Sequence, residues 1–370
     1  MAFNTFVFKV ASRCNLNCSY CYVYNRGDEG WRRQPKLVKP RTIDVGVRRI
    51  VEYCRERDSD APLTVGLHGG EPLLLGPERL AEVLERIRSG FEGAGVDYGI
   101  SLISNGVLFS RAIGDILRKY GVGMFISCDG PPLGAGDPRV DHKGLPVAGT
   151  LESILDLVKR DYSDVFGGFQ TVVDPAREPE GVFDYLVRFE PATVDLLLPL
   201  ANHHTPPGAS PGTYGDWLAR YFDHWLASGA GTTRVRLFDK MMLHLLRLGG
   251  TTPEGLGYAD AVTIEANGEY EADDTLKSTP LGTELGLDIF THSLAEVQAH
   301  PKIQAVQGGA ASLSEQCRRC SLLSVCGGGH ITHRYSEALG FGTPSIYCED
   351  MKRILTHIAE RLRSEARTGG

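Results

Sequence analysis

Three cysteines, Cys14, Cys18 and Cys21, form a C-x3-C-x2-C run directly after a short β-rich stretch. Thiolates this close in sequence do not close a tetrahedral zinc site without a fourth ligand. They can hold three irons of a four-iron cubane and leave the fourth iron open. A second set, Cys317-x2-Cys320-x5-Cys326 with Cys348 beyond it, supplies four thiolates. Four ligands close a site, either a structural zinc or a fully ligated iron–sulfur cluster, and spacing alone does not separate the two. Cys54, inside a stretch of helical period over Val45–Arg55, and Cys128, at the end of a buried strand, read as core or near-core thiols.

The chain has 370 residues, with 39 Lys and Arg against 46 Asp and Glu, a formal charge of −7. A mild acidic excess speaks against a general nucleic-acid binder, which gathers basic residues into a stripe. At 42% hydrophobic and 23% charged, the composition is that of a globular protein. No apolar run reaches the roughly 18–20 residues that span a bilayer, and the first eleven residues lack the basic start and cleavage site of a signal peptide. The expected location is the cytoplasm, where an odd total of nine cysteines, seven of them in two clusters, argues for metal ligation over disulfides.

Six β-rich runs position the first cluster: Thr5–Val10, Leu63–Leu67, Gly99–Ile103, Val122–Ser127, Gly168–Val173 and Val194–Leu198. Between most of them lie stretches with helical period, Val45–Arg55, Arg79–Arg88, Arg111–Lys119 and Leu151–Lys159. This alternation predicts an α/β fold with a parallel sheet whose near-continuously apolar strands are covered on both faces. Six repeats fall short of the eight of a closed barrel, so the expected form is a partial (β/α)6 TIM-like barrel with the cysteine run at the C-terminal mouth of its first strand. Helices over Tyr214–Leu226 and Met241–Leu248 follow. Then come a small hairpin, Val262–Glu265 and Tyr270–Glu271 around Asn267-Gly268, and Gly/Ser/Cys-rich loops over 308–329. A last helix carries Met351, Ile354, Leu355, Ile358 and Leu362 at helical spacing, with a frayed tail from Ala366. The division is residues 1–230 for the barrel and 231–370 for bridging helices and a small C-terminal metal domain.

The first cysteine run is that of the radical SAM superfamily, which the chain resembles at further positions. Gly69-Gly70-Glu71-Pro72 resembles the family's motif for the amino group of S-adenosylmethionine, a glycine turn exposing backbone carbonyls. Ser104 with Asn105, Ser127 with Asp129, and Tyr20 match positions that line the cofactor in similar enzymes. The resemblance implies a 4Fe–4S cluster and S-adenosylmethionine, whose reductive cleavage gives a radical that abstracts a substrate hydrogen. The second cysteine set resembles the SPASM extension, implying an auxiliary 4Fe–4S cluster on Cys317, Cys320, Cys326 and Cys348. Where that pattern expects further cysteines, this chain has Asp273 and His330, so one auxiliary cluster is expected rather than two.

Within SPASM enzymes the chain resembles the FxsB-type cyclophane-forming peptide maturases. The resembling segments include Cys21-Tyr22-Val23-Tyr24, Leu67-His68-Gly69-Gly70-Glu71-Pro72-Leu73-Leu74 and Cys326-Gly327-Gly328-Gly329-His330. This implies a ribosomal precursor peptide as substrate, a flavodoxin or ferredoxin as electron donor, and a cross-link from a β-carbon to an aromatic ring. Asp274 matches the catalytic acid of sulfatase-maturing SPASM enzymes and is the candidate base. A solvated turn acid is the alternative. His203, His204 and His68 stand at strand ends and are weaker candidates to face substrate. Since the cluster motif begins at residue 14, no leader-binding domain is expected ahead of the barrel. The rival readings are a sulfatase-type maturase that forms formylglycine and a zinc-ribbon scaffold.

Overall fold

The computed structural model of the chain describes residues 3–56, 62–228, 231–249, 260–306 and 308–368, with 253, 256 and 257. Its strands are β1 (Thr5–Ala11), β2 (Leu63–Gly69), β3 (Tyr98–Ser104), β4 (Gly123–Ser127), β5 (Phe166–Val172), β6 (Thr193–Leu197), β7 (Arg234–Val235), β8 (Ala261–Ile264), β9 (Glu269–Glu271) and β10 (Glu284–Asp288). The helices are α1 (Pro40–Glu56), α2 (Gly76–Glu92), α3 (Arg111–Tyr120), α4 (Ala148–Asp161), α5 (Pro179–Val187), α6 (Thr213–Ser228), α7 (Arg236–Leu245), α8 (Leu294–Ala299), α9 (Pro301–Val306), α10 (Glu315–Arg318), α11 (Leu323–Cys326) and α12 (Cys348–Thr368). The six expected strands are all present, each followed by a helix, in the α/β arrangement the alternation predicts.

Two compact units share these elements. The first comprises Met1–Ser127, Pro132–Gly167 and Ala259–Val306; the second comprises Cys128–Pro131, Gly168–Tyr258 and Gln307–Gly370. In the first, the strand order is β10-β9-β8-β1-β2-β3-β4, with β8, β1, β2, β3 and β4 parallel and β8–β9–β10 antiparallel. β1 is therefore a central strand, and Phe6, Phe8 and Val10 are buried as that requires. α1 and α2 pack side by side, as do α2 and α3. Ser110 caps α3 through a bond from Ile113 N, and Gly121 ends it in the left-handed conformation.

The hairpin departs from the reading in one respect. β8 pairs in parallel with β1, Thr5 opposite Ala261 and Phe8 opposite Ile264, so the hairpin extends the sheet. β10, α5, α8 and α9 were not expected from sequence. α12 runs on to Thr368, past the point where fraying was expected, and residues 369–370 lie outside the described residues.

In the second unit β5, β6 and β7 are parallel, and α6 packs between α5 and α12. Its core is aromatic: Trp217 stacks on Tyr221 at 5.2 Å, and Phe222 meets Phe238 edge-on at 5.1 Å. Both buried indoles are satisfied, Trp217 Nε1 donating to Arg177 O (2.7 Å) and Trp225 Nε1 to Thr233 O (2.8 Å). Among the described residues no helix is long and apolar enough to cross a membrane.

A buried ionic triad closes the hairpin. Lys277 Nζ lies 2.9 Å from both Glu265 and Glu271, each side chain 6% exposed or less. Burial and the neighbouring Glu265 charge push the Glu271 carboxyl up to about 8, against the pull of Lys277. The folded chain thus keeps a proton that the unfolded chain releases near 4.5, so this group's stability contribution is full in acid and fades as pH rises toward about 8. Glu271→Gln should flatten the fall of Tm between those two pH values, measured by calorimetry beside the wild type. Lys277→Met should destabilise by about 3–5 kcal/mol, because the buried Glu265 carboxylate loses its cation.

Candidate functional site

The root of the cysteine loop is fixed by backbone bonds from the end of β2. Gly70 N donates to Ala11 O (2.7 Å) and Glu71 N to Arg13 O (2.9 Å). The approach is too close for a side chain. A Cβ on Gly69 would stand 2.1 Å from Ala11 O, and one on Gly70 would stand 1.9 Å from the Tyr24 hydroxyl and 2.4 Å from Arg13 O. Glu71, wholly buried, then ties β2 to β3. Its Oε1 accepts from Leu73 N (2.9 Å) and Ser104 Oγ (2.8 Å), and its Oε2 from Asn105 N (2.8 Å). Burial raises its pKa, and these three donors oppose the rise. Asn105 Nδ2 reaches onward to Asn15 Oδ1 (2.8 Å) and lies 3.6 Å from the Cys14 sulfur.

The loop is also held from its far side by 137–142. Asn17 N donates to Val140 O (2.8 Å) and Ser19 N to Pro138 O (3.0 Å). Arg139 donates to the Tyr20 hydroxyl (2.7 Å), and His142 Nε2 spends itself on the Cys14 carbonyl (2.9 Å) rather than on a sulfur. Arg13 lies over the Trp31 ring at 5.0 Å.

Cys14, Cys18 and Cys21 are half-buried free thiols. Burial pushes Cys14 up to about 12, and charge on Glu71, Cys18 and Cys21 would add to the rise. The three sulfurs are thus near neighbours, and a bound metal would hold them as thiolates. Among the described residues no three His, Cys, Asp or Glu side chains converge as one metal ion would need. The donor set fits a cubane, which spreads its thiolates over several irons, better than it fits a single zinc.

A second constellation lies where β1, β2 and the residues after β9 meet. Lys9 is opposite His68 in the β1–β2 register, and its Nζ lies 2.9 Å from His68 Nδ1. The same ammonium donates to Asp274 Oδ2, which also accepts from the Tyr22 hydroxyl (2.8 Å). Burial works to raise the Asp274 pKa, but the Lys9 cation outweighs it and holds the carboxyl far below the usual range. His68 is lowered to about 4, by burial first and by Lys9 second. Tyr22 is raised well above its ordinary value by burial and the Asp274 charge. Asp274 is therefore an ion-paired residue of an organised site, not a solvated turn acid.

In the second unit Cys317, Cys326 and Cys348 sit in short helices or at a helix end, and Cys320 lies two residues past α10. Ser314 Oγ accepts from Cys317 N (3.1 Å), α11 ends at Cys326, and α12 begins at Cys348. Gly327, Gly328 and Gly329 are all left-handed, a run open only to glycine. Burial raises Cys326 to about 11, with charge on Cys348, Cys317 and Cys320 adding to it, so the four thiols are mutual neighbours.

The remaining candidates have local partners. Asp273 accepts from Thr275 N (2.9 Å) and Thr275 Oγ1 (2.7 Å), an N-cap. His330 Nδ1 is 3.3 Å from Thr332 N. Ser127 is half-buried at the end of β4. Asp129, in the second unit, accepts from Val172 N (3.0 Å). His203 Nε2 is 2.8 Å from Pro344 O and His204 pairs with Glu337 at 2.6 Å, so both tie the β6 loop to 335–344. Cys128 is buried, as expected, and Cys54 half-buried.

The sequence reading missed Lys9, Tyr22 and Arg139. Lys9 left a signal: it is the only charged residue in β1, a central strand with 4% exposure there. Tyr22 and Arg139 left none, since a tyrosine and an arginine in polar loops are ordinary.

Residues 8–164 match the model of the Radical SAM superfamily. The chain is 22% identical over 364 residues to a cysteine-type anaerobic sulfatase-maturating enzyme of Clostridium perfringens, covering 95% of each. Its fold matches that of native anSMEcpe with bound AdoMet and Cp18Cys peptide, with a TM-score of 0.82, 21% identity and 99% of both chains covered. It matches Streptococcus suis SuiB bound to precursor peptide SuiA with a TM-score of 0.61 and 14% identity, covering 94% of this chain and 76% of that one. At these identities the structural likenesses establish the fold.

Gly70→Ala should force Tyr24 and the Arg13 carbonyl away and release the loop root. The expected outcome is loss of the iron that Cys14, Cys18 and Cys21 would bind, read as iron per chain after anaerobic reconstitution, with the fold retained by circular dichroism.

Proposed function

We propose, from the premise that this chain is a radical SAM enzyme, that it removes a β-hydrogen from a ribosomal precursor peptide and joins that carbon to an aromatic ring of the same peptide. The observation that carries the chemistry, shared with the second reading below, is the ion-paired Asp274. Its Oδ2 is held by Lys9 and Tyr22, and Oδ1 has no hydrogen-bond partner among the described residues.

Cys14, Cys18 and Cys21 would hold one 4Fe–4S cluster, and Cys317, Cys320, Cys326 and Cys348 a second. Gly69, Gly70, Glu71, Pro72, Ser104, Asn105, Tyr20 and Ser127 would line S-adenosylmethionine. When bound, the first cluster with S-adenosylmethionine supplies hydrogen-atom abstraction, and the second supplies an electron acceptor. Joining a β-carbon to a ring leaves the ring one proton and one electron from aromaticity. Asp274 Oδ1 takes that proton as general base. The Lys9 pair keeps the carboxylate ionised at any working pH. Glu71 keeps the ends of β2 and β3 together while substrate binds. A flavodoxin or ferredoxin would deliver the reducing electron.

A second reading, oxidation of Ser or Cys to formylglycine, is favoured by the end-to-end likeness to the sulfatase-maturating enzyme. It needs the same hydrogen abstraction and the same base. Against it stand Asp273 and His330, which cap and pack where the SPASM pattern expects cysteines.

Anaerobically reconstituted protein should hold about eight irons, two four-iron cubanes. Replacing Cys14, Cys18 and Cys21 by Ala should leave about four and abolish S-adenosylmethionine cleavage. Zinc in the C-terminal site with iron stopping at about four would overturn the auxiliary cluster. Co-expression with the short open reading frame beside the gene should yield a peptide lighter by two hydrogens, with backbone fragmentation suppressed between two residues. A hydrazide-reactive aldehyde would establish the second reading instead.

A further inference from the structure

Lys9 has donors only, so the nitrogen of His68 it meets at 2.9 Å must be a lone pair. That fixes the tautomer: Nδ1 bare, Nε2 protonated. Nε2 has no hydrogen-bond partner among the described residues, and the His68 side chain is only half-buried. The same ammonium and the Tyr22 hydroxyl both engage Oδ2 of Asp274, which leaves Oδ1 as an uncommitted acceptor. One cation thus leaves two open valences of opposite kind, each one hydrogen bond away from itself.

We infer that Lys9 is a positioning residue that sorts its two partners into an acceptor, Asp274 Oδ1, and a donor, His68 Nε2–H, a matched pair for one peptide group of the substrate. An amide offers the complementary N–H and C=O, and a pair whose protonation is settled before binding needs no rearrangement to engage it. This rests on the reading of Asp274 as the substrate-facing base and adds the group that orients the substrate beside it. The charges around the pair are Lys9 from β1, Tyr22 and Cys21 from the cysteine loop, Glu265 after β8, and Asp273 and Lys277 flanking Asp274. Lys9 is the cation hydrogen-bonded to both partners, so its removal leaves burial to dominate Asp274 and frees Nδ1 of His68.

The tautomer is open to a test that needs no substrate. Diethylpyrocarbonate acylates an imidazole lone pair, and in the wild type that of His68 faces Lys9. On the reconstituted holoenzyme, mass spectrometry of the His68 peptide should show slow acylation from about pH 6 to 8, because no titration occurs there. In Lys9→Met the rate should rise by about tenfold or more, the equivalent of one lost hydrogen bond from a charged donor to that lone pair. Lys9→Arg, which restores a two-way cationic donor, should return it toward the wild-type rate. Acylation of wild-type His68 as fast as that of the exposed His142, or no change in Lys9→Met, would overturn the proposal. If Lys9→Met fails to retain iron, the wild-type rate alone decides. A second arm follows product formation on the co-expressed peptide: Lys9→Met should acquire an acid limb absent from the wild type, whereas a merely structural lysine would lower turnover equally at every pH. Failure of the wild type to modify that peptide would refute the cross-linking reading and leave the acylation result standing.

Discussion

The backbone of β2 rests against the start of the cysteine loop at a distance only hydrogen atoms on Cα permit. Gly69 and Gly70 make that approach, and two N–H donors convert it into bonds to Ala11 and Arg13. Much of the site in the first unit follows from this contact. It fixes the direction in which the loop leaves β1, and with it the placement of three thiols. It also brings Glu71 to the position where one carboxylate accepts from β3 and from its own turn at once. Because a buried carboxylate is costly unless fully hydrogen-bonded, Glu71 holds Ser104 and Asn105 as firmly as they hold it. The glycines therefore have a steric duty within the protein, separate from any carbonyl they present to a ligand.

Sequence and structure agree best where local chemistry is strong. The first four strands are apolar runs ended by Gly, Asn or Ser, and the next two stop short of Asp174 and Pro199. α3 is bounded by a serine cap and a left-handed glycine, and its observed limits differ from the expected ones by one residue at the end. α5 escaped because nine residues between turn signals give little periodicity, although Pro179 at its first turn was a usable mark. β10 escaped because a Gly sits at its centre. The parallel pairing of β8 with β1 was beyond reach of local reasoning, since it joins positions more than 250 residues apart through register alone.

For the site, the cysteines and the Gly-Gly-Glu-Pro turn were legible because their spacing is itself the signal. Asp274 was legible through the resemblance, but the source of its ionisation was not. Lys9 and His68 face each other only because of the β1–β2 register, and Tyr22 joins them from a loop. The adjacent histidines 203 and 204 show the converse: two residues with chemical capacity at a strand end, each engaged by the C-terminal segment of its own unit. A residue type marks capacity, and its partners decide use.

Consider last the three left-handed glycines that follow Cys326. Glycine gives up more conformational freedom on ordering than any other residue, and here three do so consecutively, between two sulfurs of one set. The run is buried, with Leu313 packed against Gly328 and Ser345 against Gly329. Order in this segment therefore rests on neighbours before and after it in the chain, rather than on any preference of the three residues themselves.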